Sequence, residues 1–268
     1  MHLRGPDDDG GTRRYSVDRA EEYVAEARAA GIDEIGFSDH VCYFRQTREI
    51  WEIPWLAERC SDNLDEYVDA VVEAKRRGLP VKLGLEVDYF PGTERELAAL
   101  LDPYPWDYLL GSVHFVDGFP VDQQPGLTDK LPPAEAWRRY FVWLRNAARS
   151  GLFDSLSHPD LVKIFGVRAT DEETHYLHVE TADAIEAAGV CVEVSAAGLH
   201  KPVGELYPDR ALLELCRERG APITLASDAH RPEHVGRDVE RAAKLAREVG
   251  YETVTVFDRR ERRQEPLG

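Results

Sequence analysis

The chain is poor in cysteine, in long apolar runs and in positive charge, and each shortage excludes a class of protein. Its four cysteines, at positions 42, 60, 191 and 216, form no C-x-x-C pair, which is typical of a reduced cytoplasmic protein and not of a disulfide scaffold or a zinc ribbon. No apolar stretch approaches the ~20 residues that a membrane span needs, and no apolar signal segment follows Met1. We therefore expect a cytoplasmic protein without a membrane partner.

The balance of charge is strongly acidic. The 268 residues include 33 Lys and Arg against 50 Asp and Glu, which gives a formal net charge of −17. Non-specific binding to nucleic acid depends on basic side chains that neutralise phosphates, so we expect no nucleic-acid partner. The basic run RRERR at 259–263 is interpreted as part of a short solvated tail over about 258–268.

Two kinds of sequence motif are also missing. The chain has no glycine-rich phosphate loop of the P-loop or dinucleotide type and no G-x-S-x-G nucleophile elbow. Nucleotide binding through such loops and a serine-nucleophile hydrolase therefore have no support in the sequence.

What the chain does contain is a regular alternation of amphipathic helices and short strands. Predicted helices cover 16–30, 62–77, 93–101, 133–149, 171–188, 208–219 and 233–248, and each precedes a predicted strand. This alternation predicts βαβ units and a parallel sheet, in a single domain over residues 1–268. Both a barrel and an open doubly wound sheet fit the alternation.

One predicted strand after another ends in a side chain that can bind a metal ion. These residues are His40, Glu86, His114, His158, Glu193, Asp228 and His230. In a barrel, the carboxyl ends of the strands form one face that carries the chemistry. An open sheet concentrates its ligands at a switch point instead, so the distribution favours an α/β barrel.

The residue types in this set indicate a metal centre. A single histidine at a strand end is most often a hydrogen-bonded structural residue, but a cluster of buried ionisable groups is costly unless the groups are paired or coordinate cations. Imidazole and carboxylate without thiolate suit zinc, iron or manganese, and two ions ~4 Å apart can clamp the attacking and leaving oxygens in phosphoryl transfer. We predict metal-assisted hydrolysis of a phosphate ester. By contrast, His175 and His178 lie one helical turn apart and are interpreted as a solvated face.

The order of six motifs resembles a known family. The motifs are GFSDH, GLEVDY, GSVH, SHPD, VEVSAAGLHKPVGELYP and SDAH. Together they resemble the polymerase-and-histidinol-phosphatase (PHP) superfamily, and within it the histidinol-phosphate phosphatases, from His2 to about residue 257. The resemblance implies a distorted seven-fold (β/α) barrel with two or three divalent metal ions at the carboxyl ends of the strands.

The family's first motif, H-x-H at the end of the first strand, is incomplete in this chain. If His2 is the second histidine of the motif, the first would lie just before Met1, and the first strand would be largely missing. We then expect the in-frame DNA upstream of Met1 to encode a short apolar stretch that ends in X-His. The alternative is that the gene starts at Met1 and one metal site is incomplete.

The resemblance also implies three metal sites. The implied ligand sets are His2, Glu86 and Asp228; Asp8, His40 and His230; and Glu86, His114 and His158, with Glu86 bridging. Which of Asp7, Asp8 and Asp9 is the ligand stays open. Of these ligands, Glu86, Asp228 and His230 are the predicted catalytic residues.

Substrate contacts are expected from four further residues: His200, Lys201, Lys163 and Glu193. His200 stands where the family's loop GLRKPxGExYP has an arginine near the phosphate, while Lys201 and Lys163 follow strand ends. The small phosphorylated substrate that the resemblance implies is L-histidinol phosphate, hydrolysed in histidine biosynthesis. Two alternatives stay open, another PHP phosphoesterase (a nuclease or nucleotide phosphatase) and a non-catalytic metal-binding barrel. The loop LHKPVGELYP favours the hydrolysis of histidinol phosphate over these two alternatives.

Overall fold

Helices and parallel strands alternate along the chain in the computed structural model, which describes residues 1–4, 15–51 and 53–268. The candidate ligand Asp8, with Asp7 and Asp9, lies outside the described residues. The α-helices in these ranges are α1 Val17–Ala29, α2 Pro54–Arg59, α3 Leu64–Arg76, α4 Glu94–Leu101, α5 Leu127–Lys130, α6 Pro133–Arg149, α7 Asp171–Ala188, α8 Arg210–Glu218 and α9 Val239–Val249.

The strands form one large parallel sheet and two small hairpins. Their bounds are β1 Ile35–Phe37, β2 Val81–Asp88, β3 Tyr108–Ser112, β4 Phe115–Val116, β5 Phe119–Pro120, β6 Ser155–Leu156, β7 Cys191–Ser195, β8 Ile223–Ala226, β9 Thr253–Asp258 and β10 Glu261–Pro266. Among the described residues, the large sheet has the order β1-β2-β3-β6-β7-β8, and all its pairings are parallel. Each strand therefore lies beside the one that precedes it in the sheet, and all six carboxyl ends lie at one face.

Local sequence signals explain where the long helices begin and end. At the start of α7, the Thr170 hydroxyl accepts from Glu173 N while the Glu173 carboxylate accepts from Thr170 N, and α7 ends at Gly189 with φ 65°. At the start of α1, Ser16 Oγ accepts from Arg19 N. These caps fix the helix ends that the sequence pattern had placed within one or two residues.

The seventh predicted strand does not join the parallel sheet, so that part of the prediction is wrong. Strand β9 pairs antiparallel with β10, and the turn between them consists of Arg259 (φ 51°) and Arg260 (φ 65°). The turn is anchored because Arg260 Nε donates to Asp154 Oδ2 at 2.9 Å and Arg260 N donates to Asp107 O at 2.9 Å. The basic run thus lies in a hairpin, with exposed side chains, and not in an irregular tail.

His178 is buried, contrary to the prediction of a solvated face. It is 1% exposed, and its ring meets the Phe141 ring edge-on at a centroid distance of 5.4 Å. Helix α7 packs along α6, which brings this face of α7 into the core. His175, one turn earlier, is exposed as predicted.

The large sheet is open between β1 and β8, and the amino-terminal residues lie across the opening. Ser38 N donates to Met1 O at 2.7 Å, and His2 N donates to Ala229 O at 2.9 Å, so this short segment joins the ends of β1 and β8. Beneath it lies a cavity of about 360 Å³, lined in part by Gly36 and Leu225. The segment positions His2 at the carboxyl face of the sheet.

None of the helices in the described ranges is both long and apolar enough to cross a membrane.

Candidate metal centre

Hydrogen bonds to the backbone of residues 2–4 hold His2 in place. The Asp39 carboxylate accepts from Leu3 N at 2.8 Å and from Arg4 N at 2.9 Å, and Tyr23 Oη donates to His2 O at 2.7 Å. The imidazole is 2% exposed and points to the carboxylate of Asp228, with Nε2 to Oδ1 at 2.9 Å. The sequence analysis did not identify Asp39, although it directly precedes His40 at the end of β1.

Glu86, on β2, is the central residue of the cluster. Its Oε2 lies 3.4 Å from His2 Nε2 and 3.4 Å from His40 Nδ1. Its Oε1 lies 2.9 Å from His158 Nε2 and 3.4 Å from His114 Nε2. The two oxygens of one buried carboxylate therefore face different pairs of imidazoles, as a carboxylate that bridges two cations would.

Asp88 orients His114. The two carboxylates Glu86 and Asp88 are two residues apart on β2 and share one face of the strand. Asp88 Oδ1 accepts a hydrogen bond from His114 Nδ1 at 2.7 Å, which leaves Nε2 toward Glu86. A carboxylate behind a histidine is the usual arrangement around metal-binding imidazoles. The alternation in LEVDY could have identified Asp88, but the sequence analysis missed it.

Asp228 and His230 come from the loop after β8. Asp228 has φ 51°, in the left-handed region, and its backbone O accepts from His230 Nδ1 at 2.9 Å. Since Nδ1 then carries the proton, the lone pair of His230 is on Nε2. The His230 ring stacks on the His2 ring at 4.1 Å, and the His2 ring stacks on that of His40 at 4.3 Å.

The protonation states suit cation binding. Burial, with a further contribution from His230, keeps the pKa of His2 well below its usual value, and burial does the same for His40 despite the nearby Glu86. Burial alone would raise the pKa of Glu86, but the surrounding histidines, His40 first, outweigh it and lower the pKa. Neutral imidazoles and an ionised carboxylate are the forms that a metal ion binds.

His114 and His158 differ from these two histidines, since the pKa of each is raised, that of His114 to about 10. At His114 burial lowers the pKa, but Asp88 and Glu86 together raise it by more. At His158 burial also lowers the pKa, and Glu86 outweighs that effect. A cation at Nε2 would take the place of that proton, so metal binding to this nitrogen releases a proton.

Among the described residues, three overlapping groups of side chains bring their ligand atoms within 4.8 Å of one another. The groups are His2, His40 and His230; His40, Glu86 and His114; and His2, Glu86 and Asp228. The third coincides with a ligand set that the resemblance implies, and the other two share members with the remaining sets. In addition, Nδ1 of both His2 and His158 is buried and has no hydrogen-bond partner in the part of the chain that the structure describes. This donor set fits divalent metal ions.

The predicted substrate contacts lie in different surroundings. Glu193 is buried beside the cluster, where its Oε1 accepts from His158 N at 3.2 Å and burial raises its pKa to about 7. His200 is exposed and pairs with Asp238, Nε2 to Oδ2 at 2.7 Å. Lys201 is exposed.

Lys163 is buried and has its partners inside the protein. Its side chain is 0% exposed, and its Nζ donates to Leu206 O at 2.8 Å and lies 2.7 Å from Asp160 Oδ2. The ammonium is paired inside the protein, and a contact between Lys163 and a substrate stays a prediction. The neighbouring Tyr207, which the sequence analysis did not single out, is buried near His158.

Comparison with known proteins agrees with the resemblance to the PHP superfamily. Residues 14–197 match the family model described as PHP domain. This chain belongs to the PHP domain family. It is similar to the protein named probable histidinol-phosphatase of Deinococcus radiodurans, at 35% identity over 251 residues that cover 92% of this chain and 93% of the relative. A probable histidinol-phosphatase of Schizosaccharomyces pombe is 24% identical over 91% of this chain and 86% of its own length.

The fold has close counterparts among solved PHP-type structures. The crystal structure of a histidinol phosphate phosphatase from Lactococcus lactis, complexed with zinc, L-histidinol and phosphate, aligns with a TM-score of 0.78 at 20% identity, over 98% of this chain and 97% of that one. A putative histidinol phosphatase from Listeria monocytogenes aligns with a TM-score of 0.74 at 22% identity, over 90% and 97% of the two chains. The predicted PHP resemblance and the distorted barrel are confirmed.

Proposed function

We propose that this chain is a metal-dependent phosphomonoesterase that hydrolyses L-histidinol phosphate to L-histidinol and phosphate in histidine biosynthesis. The observation that carries the proposal is the convergence of four imidazoles on the two oxygens of Glu86 at the carboxyl face of the sheet. The names of the similar proteins from D. radiodurans and S. pombe support the choice of substrate. The bound L-histidinol and phosphate in the L. lactis structure fit the same choice.

Each metal ion would be held by its own set of side chains. His2, Glu86 and Asp228 would hold one ion, His40 and His230 a second, and Glu86, His114 and His158 a third. Divalent ions at these positions supply Lewis acidity and a positive field for phosphoryl transfer. Glu86 would contribute to more than one of these sites, which would keep the ions close together.

Two carboxylates outside the proposed ligand sets fix the positions of histidines in the cluster. Asp88 holds the His114 ring in one orientation, and Asp39 fixes the segment that carries His2. The side chain of His230 is 37% exposed, the largest fraction in the cluster, so the substrate would enter from its side. His200 and Lys201, exposed on the loop after β7, would contact a charged group of the substrate.

The metals and the cellular location complete the proposal. Imidazole and carboxylate ligands suit zinc, manganese and iron, and zinc is the ion present in the L. lactis structure. A cytoplasmic location is supported by the four buried cysteines, all of which are free.

The test is phosphate release from a panel of phosphomonoesters. The chelated protein would be reloaded with zinc, manganese or iron and assayed on L-histidinol phosphate, a nucleoside monophosphate and p-nitrophenyl phosphate. We expect metal-dependent release, with kcat/KM for L-histidinol phosphate higher by on the order of a hundredfold, because a site that pairs with the polar groups of its substrate discriminates strongly.

Two outcomes would contradict the proposal. A preference for the nucleotide would indicate another PHP phosphoesterase. Metal binding without turnover of any ester would indicate a non-catalytic barrel. The variant His175→Ala, which changes an exposed histidine of α7, serves as the control for histidine substitutions in the cluster.

A further inference from the structure

Tyr207 carries a buried hydroxyl without a hydrogen-bond partner beside the metal-binding cluster. The residue is 1% exposed, and its Oη has no partner among the described residues. Burying a hydroxyl without a hydrogen bond is costly. Its ring meets that of His158 edge-on at 6.2 Å, so the residue packs against a member of the cluster.

The position of the Tyr207 ring is closely fixed by its surroundings. Its backbone pairs with the end of β7, where Ser195 N donates to Tyr207 O at 2.7 Å and Tyr207 N donates to Ser195 O at 3.0 Å. Lys163 Nζ lies 5.4 Å from the ring centroid. A Cβ at Gly198 would lie 2.8 Å from Tyr207 Cε2 and 2.9 Å from Cζ, so only glycine leaves room for the ring there.

The hydroxyl is suited to donate a hydrogen bond. A phenol hydroxyl carries one proton that it can donate to an acceptor, and the described part of the protein offers this hydroxyl no partner.

From these contacts we infer that Tyr207 is a substrate-binding residue whose hydroxyl donates a hydrogen bond to a non-bridging oxygen of the phosphoryl group bound at the metal centre. The described part of the protein provides no acceptor for this hydroxyl, and a phosphoryl oxygen of the ligand would be that acceptor. The interaction is present both with phosphate bound and during its transfer, and it moves no proton. This inference rests on the proposed function for the identity of the ligand, but it can be tested with phosphate alone.

The experiment compares Tyr207→Phe with Tyr251→Phe in the zinc-loaded protein. Tyr251 is also a buried tyrosine whose Oη has no described partner, but its ring lies by Arg217 and outside the cluster. Calorimetry would give the Kd of inorganic phosphate, elemental analysis the zinc content, and thermal unfolding the Tm. A hydrogen bond to a charged group corresponds to roughly a tenfold change in Kd.

We expect Tyr207→Phe to weaken phosphate binding about tenfold, with unchanged zinc content and a Tm that does not fall. The Tm should hold because the variant removes a hydroxyl that has no protein partner to lose. Tyr251→Phe should leave phosphate binding unchanged. An unchanged phosphate Kd in Tyr207→Phe would overturn the inference, and so would a loss of zinc from that variant.

The result also separates this inference from the proposed function. A wild-type protein that binds phosphate through Tyr207 but does not hydrolyse L-histidinol phosphate would contradict the proposed function and leave the inference standing. If Tyr207→Phe hydrolyses L-histidinol phosphate with an unchanged kcat/KM, the proposed function stands and the inference about Tyr207 is contradicted.

Discussion

At the scale of single residues, the cluster depends on ionisable carboxylates that are wholly or partly buried. The side chain of Glu86 is 3% exposed, and that of Asp228 is 19% exposed. Burial disfavours the ionised carboxylate of Asp228, but His230 and His2 outweigh that effect and hold its pKa well below the usual value. An ionised carboxylate in such a place is stabilised only by positive partners, which protonated histidines or bound cations supply.

Replacing Asp228 or His230 should each remove about one metal ion per chain. Asp228→Asn keeps the shape of the side chain but loses its charge, and His230→Ala removes one imidazole. Activity should fall on the order of a hundredfold or more, because the ions act together on one phosphoryl group. Elemental analysis and phosphate release at saturating substrate would measure both effects.

The exposed-histidine variant His175→Ala controls for this comparison and should keep its metal and its activity. Wild-type metal content together with full activity in Asp228→Asn or His230→Ala would remove the multinuclear site from the account.

The Lys163–Asp160 pair is a second residue-scale feature, and we expect it to stabilise the fold. Asp160 is 0% exposed, and its Oδ2 accepts from Lys163 Nζ and from Asp209 N at 2.8 Å. Lys163→Met should lower the free energy of unfolding by about 3–5 kcal/mol, because it leaves a buried carboxylate without its partner. Urea unfolding would measure the loss.

Adding Asp160→Asn to Lys163→Met should recover part of that stability, since the uncompensated charge is gone. Unchanged stability in Lys163→Met, with a raised KM for the phosphomonoester, would instead return Lys163 to the role of a substrate contact.

At the scale of elements, the opening between β1 and β8 is where the sheet can accept one more strand. Within the described ranges, β1 pairs with β2 and β8 with β7, and the cavity between the free edges has a volume of about 360 Å³. Leu225 and Ala226 of β8 are only half-buried there. Unpaired strand edges of this kind are templates for a further strand.

A short apolar extension before Met1 should therefore add a strand to the sheet. About five residues match the common length of a strand, and hydrogen bonds to both edges should raise the Tm and slow amide exchange in β1 and β8. The control is the same extension with a central proline, which cannot donate to the ladder. Equal Tm and equal exchange for the two extensions would show that the opening does not accept a strand.

The elements also show what the sequence could and could not predict. The strand that carries Glu86 and the strands that precede His40, His114, His158 and Asp228 were predictable, because alternation and strand-end polarity are local signals. The β9–β10 hairpin was not predictable, since its turn depends on positive φ at Arg259 and Arg260 and on distant contacts to Asp107 and Asp154. The burial of His178 and Lys163 likewise depends on which helix or loop packs against them, and a single sequence does not reveal that.

At the scale of the whole molecule, an acidic protein gathers one cluster of side chains suited to bind cations. The formal net charge is −17, and the cluster gathers histidines and carboxylates that need cations to be satisfied. Because metal ions bind the folded cluster and not the unfolded chain, they stabilise the fold by mass action.

Removing the metal should lower the Tm of the whole protein. With free metal at about a hundred times its Kd, the loss is about 2.7 kcal/mol per site, which corresponds to a decrease of several degrees in a chain of this size. Glu86→Gln, which weakens the shared ligand, should show a smaller difference between loaded and chelated forms. A Tm that does not respond to chelation in the wild-type protein would contradict a metal centre in the folded state.

The most direct test of the central claim is a zinc titration of the chelated protein, followed by calorimetry and by phosphate release from L-histidinol phosphate in the same samples. We expect zinc to bind with a stoichiometry of two or three ions per chain, and activity to appear only as the sites that share Glu86 become filled. Hydrolysis at full rate in the chelated protein, or saturation with zinc without any hydrolysis, would contradict it.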